Sequence, residues 1–254
     1  MSRYPIKVVV PVSGGKDSQA CLKLALKKYE KNEILGLFCD TRFEHPITYS
    51  HIYTMREIYG VEICAISSGS VPEKVMQYGY FPGSAGRFCT SYLKLDPSKK
   101  FYKAFAEVMG HGFEVWVGVR SDESPARKLR YIGKVSSEVY FPHEFMSNFP
   151  KYLGALGVRF RLPIVDWSVE DVMVYLDGQE NPLYRSGFSR VGCFPCLAGG
   201  DASKIKAFEH DDFGARQYEK VLILEKAISK SVFESGIGPR WREDGGNGCS
   251  ICSM

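Results

Sequence analysis

Short, continuous apolar runs alternate with longer amphipathic segments along the first two thirds of the chain. Four of these runs have the length of a strand that is buried on both faces: residues 7–12, 34–39, 61–66 and 113–119. The segments between them include three with a helical pattern: residues 18–29, 46–59 and about 97–110. Strands that alternate with helices in this way predict an α/β fold, a doubly wound and mostly parallel sheet with helices on both faces.

A further combination of strand and helix follows in the stretch LPIVDWSVEDVMVYL, residues 162–176. Its first, apolar part predicts a short strand, and its second part predicts a helix from about residue 169. Ser168 can cap the start of this helix, because its hydroxyl can accept a hydrogen bond from a backbone N–H group of the first turn. Asp171, three residues further on, completes the pattern of a capping box.

The character of the chain changes beyond about residue 185. Gly, Arg and Cys become frequent there, one further helix is predicted at about 212–231, and the end of the chain is rich in Gly. The sequence shows neither an internal repeat nor a low-complexity tract. We therefore divide the chain into an α/β domain at residues 1–185 and a smaller, cysteine-bearing C-terminal region at residues 186–254.

Composition narrows the function classes only slightly. The 254 residues are 44% hydrophobic and 24% charged, which is ordinary for a soluble globular protein. A formal net charge of +4 helps a nucleotide or a polyanion to approach, but it does not require a nucleic acid as a partner. Apolar runs stay well short of the roughly 20 residues of a membrane helix, and the start MSRYPIKVVV lacks the features of a signal peptide. We therefore expect a cytoplasmic protein with no membrane segment.

The segment between the first strand and the first helix carries the strongest candidate chemistry. It consists of six residues: Ser13, Gly14, Gly15, Lys16, Asp17 and Ser18. The two glycines can adopt positive φ angles and let backbone N–H groups approach a phosphate closely. The start of the helix adds unpaired N–H donors and a partial positive charge, and Lys16 adds a full charge. The spacing differs from the Walker loop and from the dinucleotide fingerprint, so we predict a phosphate-binding loop of another kind.

The motif Ser-Gly-Gly-Lys-Asp-Ser after an N-terminal strand resembles the PP-loop of the ATP pyrophosphatases, members of the adenine nucleotide alpha-hydrolase-like (HUP) superfamily. In that superfamily the loop holds the pyrophosphate portion of ATP while the α-phosphorus is attacked, and the usual products are an adenylated substrate and pyrophosphate. The resemblance implies ATP with Mg²⁺ as the nucleotide. It also implies that Lys16 and the amides of Gly14 and Gly15 hold the leaving pyrophosphate. Ser13 and Ser18 would assist them, and Asp17 would orient Lys16 or a metal ion.

Later motifs extend the resemblance to the phosphoadenosine phosphosulfate (PAPS) reductase family, across residues 8 to about 200. In chain order they are DTRFEHPITY at 40–49, GRFCTSYLKLDP at 86–97, GVRSDESPAR at 118–127, VDWSVEDVMVYL at 165–176 and NPLYRSGFSRVGCFPC at 181–196. Each of these motifs is weak alone. Together with the PP-loop they indicate this family.

Candidate residues for the rest of the nucleotide site follow the second and fourth predicted strands. Parallel strands place their carboxyl ends at one edge of a sheet, where open α/β folds bind ligands. Asp40 can bind a ribose hydroxyl or help to hold Mg²⁺, although it is also placed to cap the following turn. Arg120 and Arg127 can hold the α-phosphate or the oxygens of a second substrate, with a surface ion-pair cluster as the alternative interpretation. Gly118 completes the predicted nucleotide-binding set.

The eight cysteines divide into two groups. Cys21, Cys39 and Cys64 lie in apolar segments and are interpreted as small buried hydrophobic residues. The other five lie among Gly, Pro and polar residues and are candidate metal ligands: Cys89, Cys193, Cys196, Cys249 and Cys252. Because the cytosol keeps thiols mostly reduced, these five need an explanation other than structural disulfides.

Two Cys-x-x-Cys pairs, at 193–196 and 249–252, have the spacing to supply four thiolates to a zinc ion or a [4Fe–4S] cluster. The family resemblance favours another set, in which Cys89 joins the first pair and the fourth position comes from the tail or stays open. We favour an iron–sulfur cluster over zinc. A redox disulfide and unliganded structural thiols stay open as alternatives.

The complete Lys-Asp-Ser ending of the loop favours ATP as the substrate, since reductases of the family usually lack it. We predict an ATP pyrophosphatase that adenylates a substrate in sulfur chemistry, as a sulfurtransferase does. Its partner would be a sulfur donor or a thiol reductant protein, and a nucleic acid is one candidate acceptor.

The first alternative is a thiol-dependent PAPS or adenylyl-sulfate reductase that releases sulfite. The chain lacks the Glu-Cys-Gly-Leu-His motif of those enzymes, but Cys249 or Cys252 could act from the tail. The second alternative is a nucleotide-binding module without catalytic activity.

Overall fold

A six-stranded sheet with the order β3-β2-β1-β4-β6-β5 forms the centre of the computed structural model, which describes residues 5–83 and 86–233. The strands are β1 Val8–Val12, β2 Ile34–Asp40, β3 Glu62–Ser67, β4 Glu114–Trp116, β5 Val139–Tyr140 and β6 Arg159–Arg161. Neighbouring strands run parallel from β3 across to β6, and β5 pairs with β6 in the antiparallel direction.

Helices cover both faces of this sheet. The α-helices of the described residues are α1 Lys16–Ala25, α2 Pro46–Tyr59, α3 Val71–Tyr78, α4 Phe88–Thr90, α5 Asp96–Met109, α6 Pro125–Arg130, α7 Pro142–Phe145, α8 Lys151–Ala155, α9 Val169–Leu176, α10 Asp201–Phe208 and α11 Asp212–Ile228. A π-helical turn, Ser91–Leu95, joins α4 to α5, and short 3-10 helices lie at Lys31–Glu33, Ser121–Glu123 and Pro182–Tyr184.

Alternate residues of β1 contribute to two hydrophobic cores, because successive side chains of a strand point to opposite faces. Val8, Val10 and Val12 share a core with residues of α1, α2 and α9. Val9 belongs to the core on the other face, which includes residues of α5, α7 and α8. The fold class predicted from the sequence, a mostly parallel sheet with helices on both sides, is therefore confirmed.

Several predicted elements are also confirmed in detail. The helix predicted at 46–59 is α2, with the same bounds. The capping box predicted for Ser168 and Asp171 begins α9, where Ser168 Oγ accepts a hydrogen bond from Asp171 N at 3.0 Å. The last predicted helix, at 212–231, is α11 and ends three residues earlier than expected, at Ile228.

The short strand predicted within residues 162–176 is wrong. Leu162 and Val165 are fully buried, but Val165 N donates back to Leu162 O at 3.2 Å, which makes a turn. Pro163 between them has no N–H group to offer to a sheet ladder. The apolar run therefore reflects burial of a turn, and the strand of this region is β6, which ends just before it.

The fourth predicted strand is shorter than expected. β4 covers only the first part of residues 113–119, because Val119 N turns back to Val117 O at 3.0 Å. The two-residue strand β5 was not predicted, since an apolar or alternating pattern needs more residues than this strand has.

The C-terminal region packs against the first part of the chain through a third hydrophobic cluster. Phe208 of α10 and Val221 of α11 share this cluster with Phe43 and Phe88. The division of the chain at residue 185 stays a prediction. Among the described residues, no helix combines the length and the apolar character that crossing a membrane requires.

Candidate functional site

The six-residue loop lies where the strand order reverses. β1 pairs with β2 on one side and with β4 on the other, so the segments that leave β1 and β4 border the same crevice. Open α/β folds bind ligands at such a point. The first helix begins at Lys16 instead of the predicted residue 18, which places Lys16 and Asp17 in the first turn of α1. Backbone N–H groups of this first turn are those that a helix leaves without internal acceptors.

Contacts within the loop fix its shape before any ligand binds. Ser18 Oγ accepts a hydrogen bond from Ser13 N at 3.1 Å and donates one to Gly15 O at 2.9 Å. Gly14 has a φ angle of 75°, and a Cβ atom there would lie 2.5 Å from Cγ2 of Thr48 in α2. Glycine is therefore required at this position both by the backbone conformation and by the close approach of α2.

A cavity of about 200 Å³ opens in front of the loop. On the loop side it is lined by Ser13, Gly15, Lys16, Asp17 and Ser18. The rest of the lining comes from two later segments of the chain: Arg120, Glu123, Tyr184, Ser189, Arg190 and Val191. Pockets that enclose a whole drug-sized ligand have volumes of about 300–1,000 Å³. The size of this cavity therefore suits the phosphate end of a nucleotide rather than all of it.

Two buried cations meet one carboxylate inside the cavity. Asp17 accepts a hydrogen bond from Lys16 Nζ at 2.9 Å and another from Arg120 Nε at 2.6 Å, each through a different carboxylate oxygen. All three residues are buried, so their charges interact more strongly than they would in water. The shared carboxylate holds both cations at fixed positions beside the loop. Arg120 also pairs with Asp122, which is exposed, so the site offers an anion fixed donors, Lys16, Arg120 and the first N–H groups of α1, rather than a large excess of positive charge.

Gly118 supports the loop from behind and does not line the cavity. A Cβ atom at Gly118 would lie 2.8 Å from the carbonyl carbon and oxygen of Asp17 and 2.9 Å from Ser18 N. These are backbone atoms, which cannot rotate away as the end of a side chain can. The part that Gly118 plays at the site is therefore to let the segment after β4 approach the first turn of α1.

We expect Gly118→Ala to weaken ATP binding by about tenfold to a hundredfold, because a displacement of the loop by as little as about 1 Å misplaces its donors. Titration calorimetry measures the Kd. The control is Gly200→Ala, since a Cβ atom at Gly200 meets nothing within 4 Å. Equal Kd values for the two variants would contradict the supporting role of Gly118.

Arg127 and Asp40, like Gly14 and Gly118, are predicted nucleotide-site residues that lie outside the cavity lining. Arg127 is buried in α6 and pairs with Glu123, a residue of the cavity lining. Asp40, at the end of β2, accepts hydrogen bonds from Arg42 N at 2.8 Å and from Tyr49 OH at 2.7 Å. The hydrogen bond from Arg42 N makes Asp40 the cap of the following turn, which is the alternative role that the sequence offered for this residue. Direct contacts of Arg127 and Asp40 with a nucleotide stay predictions.

The first Cys-x-x-Cys pair lies beside the segment that follows β2. Cys193 forms an isolated β-bridge with Glu44, and its Sγ lies 3.3 Å from Thr41 Oγ1. Burial raises the pKa of the Cys193 thiol far above its ordinary value. Cys196 is exposed, and Cys89 packs against the same hydrophobic cluster as Cys193. The structure therefore brings Cys89 and the first pair to one region of the molecule.

A complete metal-ligand set is not formed by the part of the chain that the structure describes, where no three His, Cys, Asp or Glu side chains make a group that could hold a metal ion. Thiolates are suitable ligands for iron and for zinc, but the cysteines of the described residues do not supply enough of them at one point to complete a metal site. The second predicted pair, Cys249 and Cys252, lies outside the described residues. Cys21 and Cys39 are buried and Cys64 is partly buried, as their apolar surroundings in the sequence predicted.

The part of the cavity lining that comes from residues 184–191 was not predicted from the sequence. Tyr184 and Arg190 belong to it, and Asn181 Nδ2 donates a hydrogen bond to Gly14 O at 3.1 Å across a separation of 167 residues. All of them belong to the stretch NPLYRSGFSRVGCFPC, whose resemblance to a family motif was the available signal. No periodicity in that stretch shows which side chains turn toward a loop near the other end of the chain.

Comparison with protein families and curated proteins gives two kinds of match. The family model of the phosphoadenosine phosphosulfate reductase domain matches residues 7–198. An uncharacterized protein of Methanocaldococcus jannaschii is 33% identical over 204 residues, which cover 78% of this chain and 38% of that protein. The adenosine 5'-phosphosulfate reductase of Rhodococcus erythropolis is 27% identical over 169 residues, which cover 64% of this chain and 58% of that enzyme. The chain therefore spans less than two thirds of the length of these relatives.

Two solved structures match this chain with TM-scores just under 0.5. Phosphoadenylyl-sulfate reductase from Candida auris, in a phosphate complex, has a TM-score of 0.49 and 16% identity, and the match covers 76% of this chain and 83% of that chain. The U34-tRNA thiolase from Methanococcus maripaludis, with its [4Fe–4S] cluster, has a TM-score of 0.47 and 16% identity, with coverage of 100% and 82%.

Proposed function

We propose that this chain, which belongs to the phosphoadenosine phosphosulfate reductase family, is a PP-loop enzyme that binds ATP with Mg²⁺ and releases pyrophosphate while it adenylates a substrate in sulfur chemistry. The observation that supports this most is the pairing of Lys16 and Arg120 through Asp17 beside the loop amides. The outer phosphates of ATP carry several negative charges, and their oxygens can accept hydrogen bonds from Lys16, from Arg120 and from the helix N-terminus, while Mg²⁺ would neutralise the charge that these paired cations leave. A nucleotide that carries an activated sulfate has no outer pyrophosphate for Lys16 to hold.

The cavity residues would act by positioning and by charge neutralisation. Attack on the α-phosphorus increases the negative charge on the leaving pyrophosphate, and donors that are already fixed in place stabilise that charge without reorganising. Lys16, Arg120 and the N–H groups at the start of α1 are such donors. Both oxygens of Asp17 are bound by Lys16 and Arg120, so Mg²⁺ would be held by phosphate oxygens and by Glu123, which also lines the cavity, and it would neutralise phosphate charge there.

The cysteines support the assignment to sulfur chemistry. We propose that Cys89, Cys193 and Cys196 become ligands of an iron–sulfur cluster rather than of zinc when the cluster binds, with a fourth ligand from the tail or an open position, because the described residues alone do not form a complete set. The spacing of the pair and the common surroundings of Cys89 and Cys193 support this set. A cytoplasmic location and a sulfur-donor protein as partner belong to the same proposal, and a nucleic acid is one candidate for the acceptor.

A second candidate function is the thiol-dependent reduction of adenylyl sulfate or PAPS to sulfite. The similarity to the adenosine 5'-phosphosulfate reductase of Rhodococcus erythropolis favours it. This function would require a thiol reductant protein but no ATP.

The two functions differ in their products. Purified protein is incubated anaerobically with ATP and Mg²⁺, in the presence of a small-metabolite fraction or of total RNA as a source of acceptor. We expect pyrophosphate and AMP, free or attached to the acceptor, in equal amounts. Release of ADP and phosphate would contradict the proposal, and so would sulfite release from adenylyl sulfate with a dithiol in a parallel reaction. Binding of ATP without turnover in every fraction would indicate a nucleotide-binding module.

A further inference from the structure

The hydroxyl of Tyr184 reaches into the phosphate cavity from outside the PP-loop. Tyr184 is the last residue of the 3-10 helix Pro182–Tyr184, and it lines the cavity. Lys16 N donates a hydrogen bond to the Tyr184 hydroxyl oxygen at 3.0 Å, although the two residues are 168 positions apart in the chain. This N–H group is the first of α1, so it has no acceptor within the helix.

Two contacts hold the Tyr184 side chain in place. Besides the bond from the Lys16 amide, the Lys16 ammonium lies 5.6 Å from the centre of the Tyr184 ring, where a cation is attracted to the aromatic face. The hydroxyl oxygen also lies 3.3 Å from the position that a Cβ atom at Gly15 would take. A residue larger than glycine at position 15 would therefore press against the phenol.

The hydroxyl keeps one hydrogen-bonding function unused. A phenol oxygen can accept a hydrogen bond while its own proton is donated elsewhere. Here the oxygen accepts from Lys16 N, and within residues 5–83 and 86–233 no acceptor takes the proton. Burial, reinforced by Asp17, raises the pKa of Tyr184 above its ordinary value, so the phenol retains that proton at neutral pH.

We propose that Tyr184 is a phosphate-binding residue: its hydroxyl accepts a hydrogen bond from the Lys16 amide and donates its own proton to an outer phosphate oxygen of the bound nucleotide. The inference rests on the proposed function, because it needs a phosphate in this cavity. It extends the phosphate site beyond the PP-loop to the segment that leads into the first Cys-x-x-Cys pair.

If Tyr184 has a purely structural role, removal of its hydroxyl is expected to change phosphate affinity in the opposite direction. If the hydroxyl only occupies the Lys16 amide until a ligand arrives, a phosphate oxygen must displace it. Removal of the hydroxyl would then leave phosphate binding unchanged or make it tighter. If the hydroxyl donates to the phosphate, its removal weakens binding.

The test is Tyr184→Phe, which keeps the ring and removes only the hydroxyl. Titration calorimetry with inorganic pyrophosphate, and separately with ATP and Mg²⁺, gives the Kd of each variant. We expect the Kd for both ligands to rise about tenfold or more, which is the usual effect of losing a hydrogen bond to a charged group. Thermal unfolding of each variant shows whether the fold is retained.

The matched control is Tyr59→Phe. Tyr59 OH accepts a hydrogen bond from Gln19 Nε2 at 3.1 Å, so this variant also loses a phenol contact to α1, but at a position outside the cavity lining. We expect its Kd to equal that of the unchanged protein. An unchanged or lower Kd for Tyr184→Phe would overturn the inference and leave the proposed function standing. Failure of the unchanged protein to bind either ligand would overturn both.

Discussion

Lys16→Ala is expected to reduce pyrophosphate release from ATP by about a hundredfold to a thousandfold, the usual effect of removing one preorganised charge-stabilising donor. The variant should remain folded. Asp17, which binds Lys16 Nζ at 2.9 Å, keeps its contact with Arg120 Nε at 2.6 Å, so the change leaves no buried charge without a partner. Pyrophosphate is measured with a coupled assay, and circular dichroism during heating reports the fold.

A second lysine of α1 provides the control for this prediction. Lys23 Nζ donates a hydrogen bond to Tyr175 O at 2.9 Å and lies outside the cavity lining. Lys23→Ala therefore removes the same charge from the same helix at a position that does not face the phosphate. We expect its rate to be close to that of the unchanged protein. Equal rates of pyrophosphate release for Lys16→Ala and Lys23→Ala would show that the charge of Lys16 does not contribute to the reaction.

Cys193→Ser and Cys196→Ser are each expected to remove most of the bound iron. Each change replaces a thiolate ligand by a hydroxyl, which binds iron of a cluster much more weakly. The unchanged protein, prepared without oxygen, should be brown and contain iron. Iron content per chain and the visible absorption spectrum are the measurements.

Cys64→Ser is the control for the cysteine variants. Cys64 lies in β3, is partly buried and packs at the edge of one sheet core. We expect this variant to retain its iron and its spectrum. Colourless protein that contains zinc, or the same iron content in all three variants, would contradict the proposed cluster and its ligands.

The phosphate loop could be predicted from the sequence because its information is local. A buried strand, two glycines and a helix start are consecutive in the chain, and the backbone they form needs no distant partner to be recognised. The same holds for the capping box of Ser168 and Asp171, whose hydrogen bonds join residues three positions apart. The mostly parallel sheet follows from the alternation of such local elements.

The residues that meet the phosphate loop from other parts of the chain could not be predicted, because no local sequence pattern indicates contacts between distant segments. Asp17 could be placed on the loop, but its position between Lys16 and Arg120 requires β1 and β4 to be neighbours. Tyr184 reaches the same cavity from a segment 168 residues away from Lys16. The need for glycine at position 118 also depends on tertiary structure. A side chain cannot fit there because the backbone of Asp17, which is distant in sequence, lies too close.

The incorrect strand within residues 162–176 has a related cause. Burial on both sides produces the same apolar run in a strand and in a turn that lies inside the core. Pro163 was the residue that distinguishes them, because it cannot donate a hydrogen bond to a ladder.

A structure of the protein with a non-hydrolysable ATP analogue and Mg²⁺ tests the central claim most directly. We expect the outer phosphates in the cavity in front of the loop, with oxygens about 3 Å from Lys16 Nζ and from amides of the loop and of the first turn of α1 other than that of Lys16. A triphosphate bound elsewhere on the protein, with this cavity empty, would contradict the account.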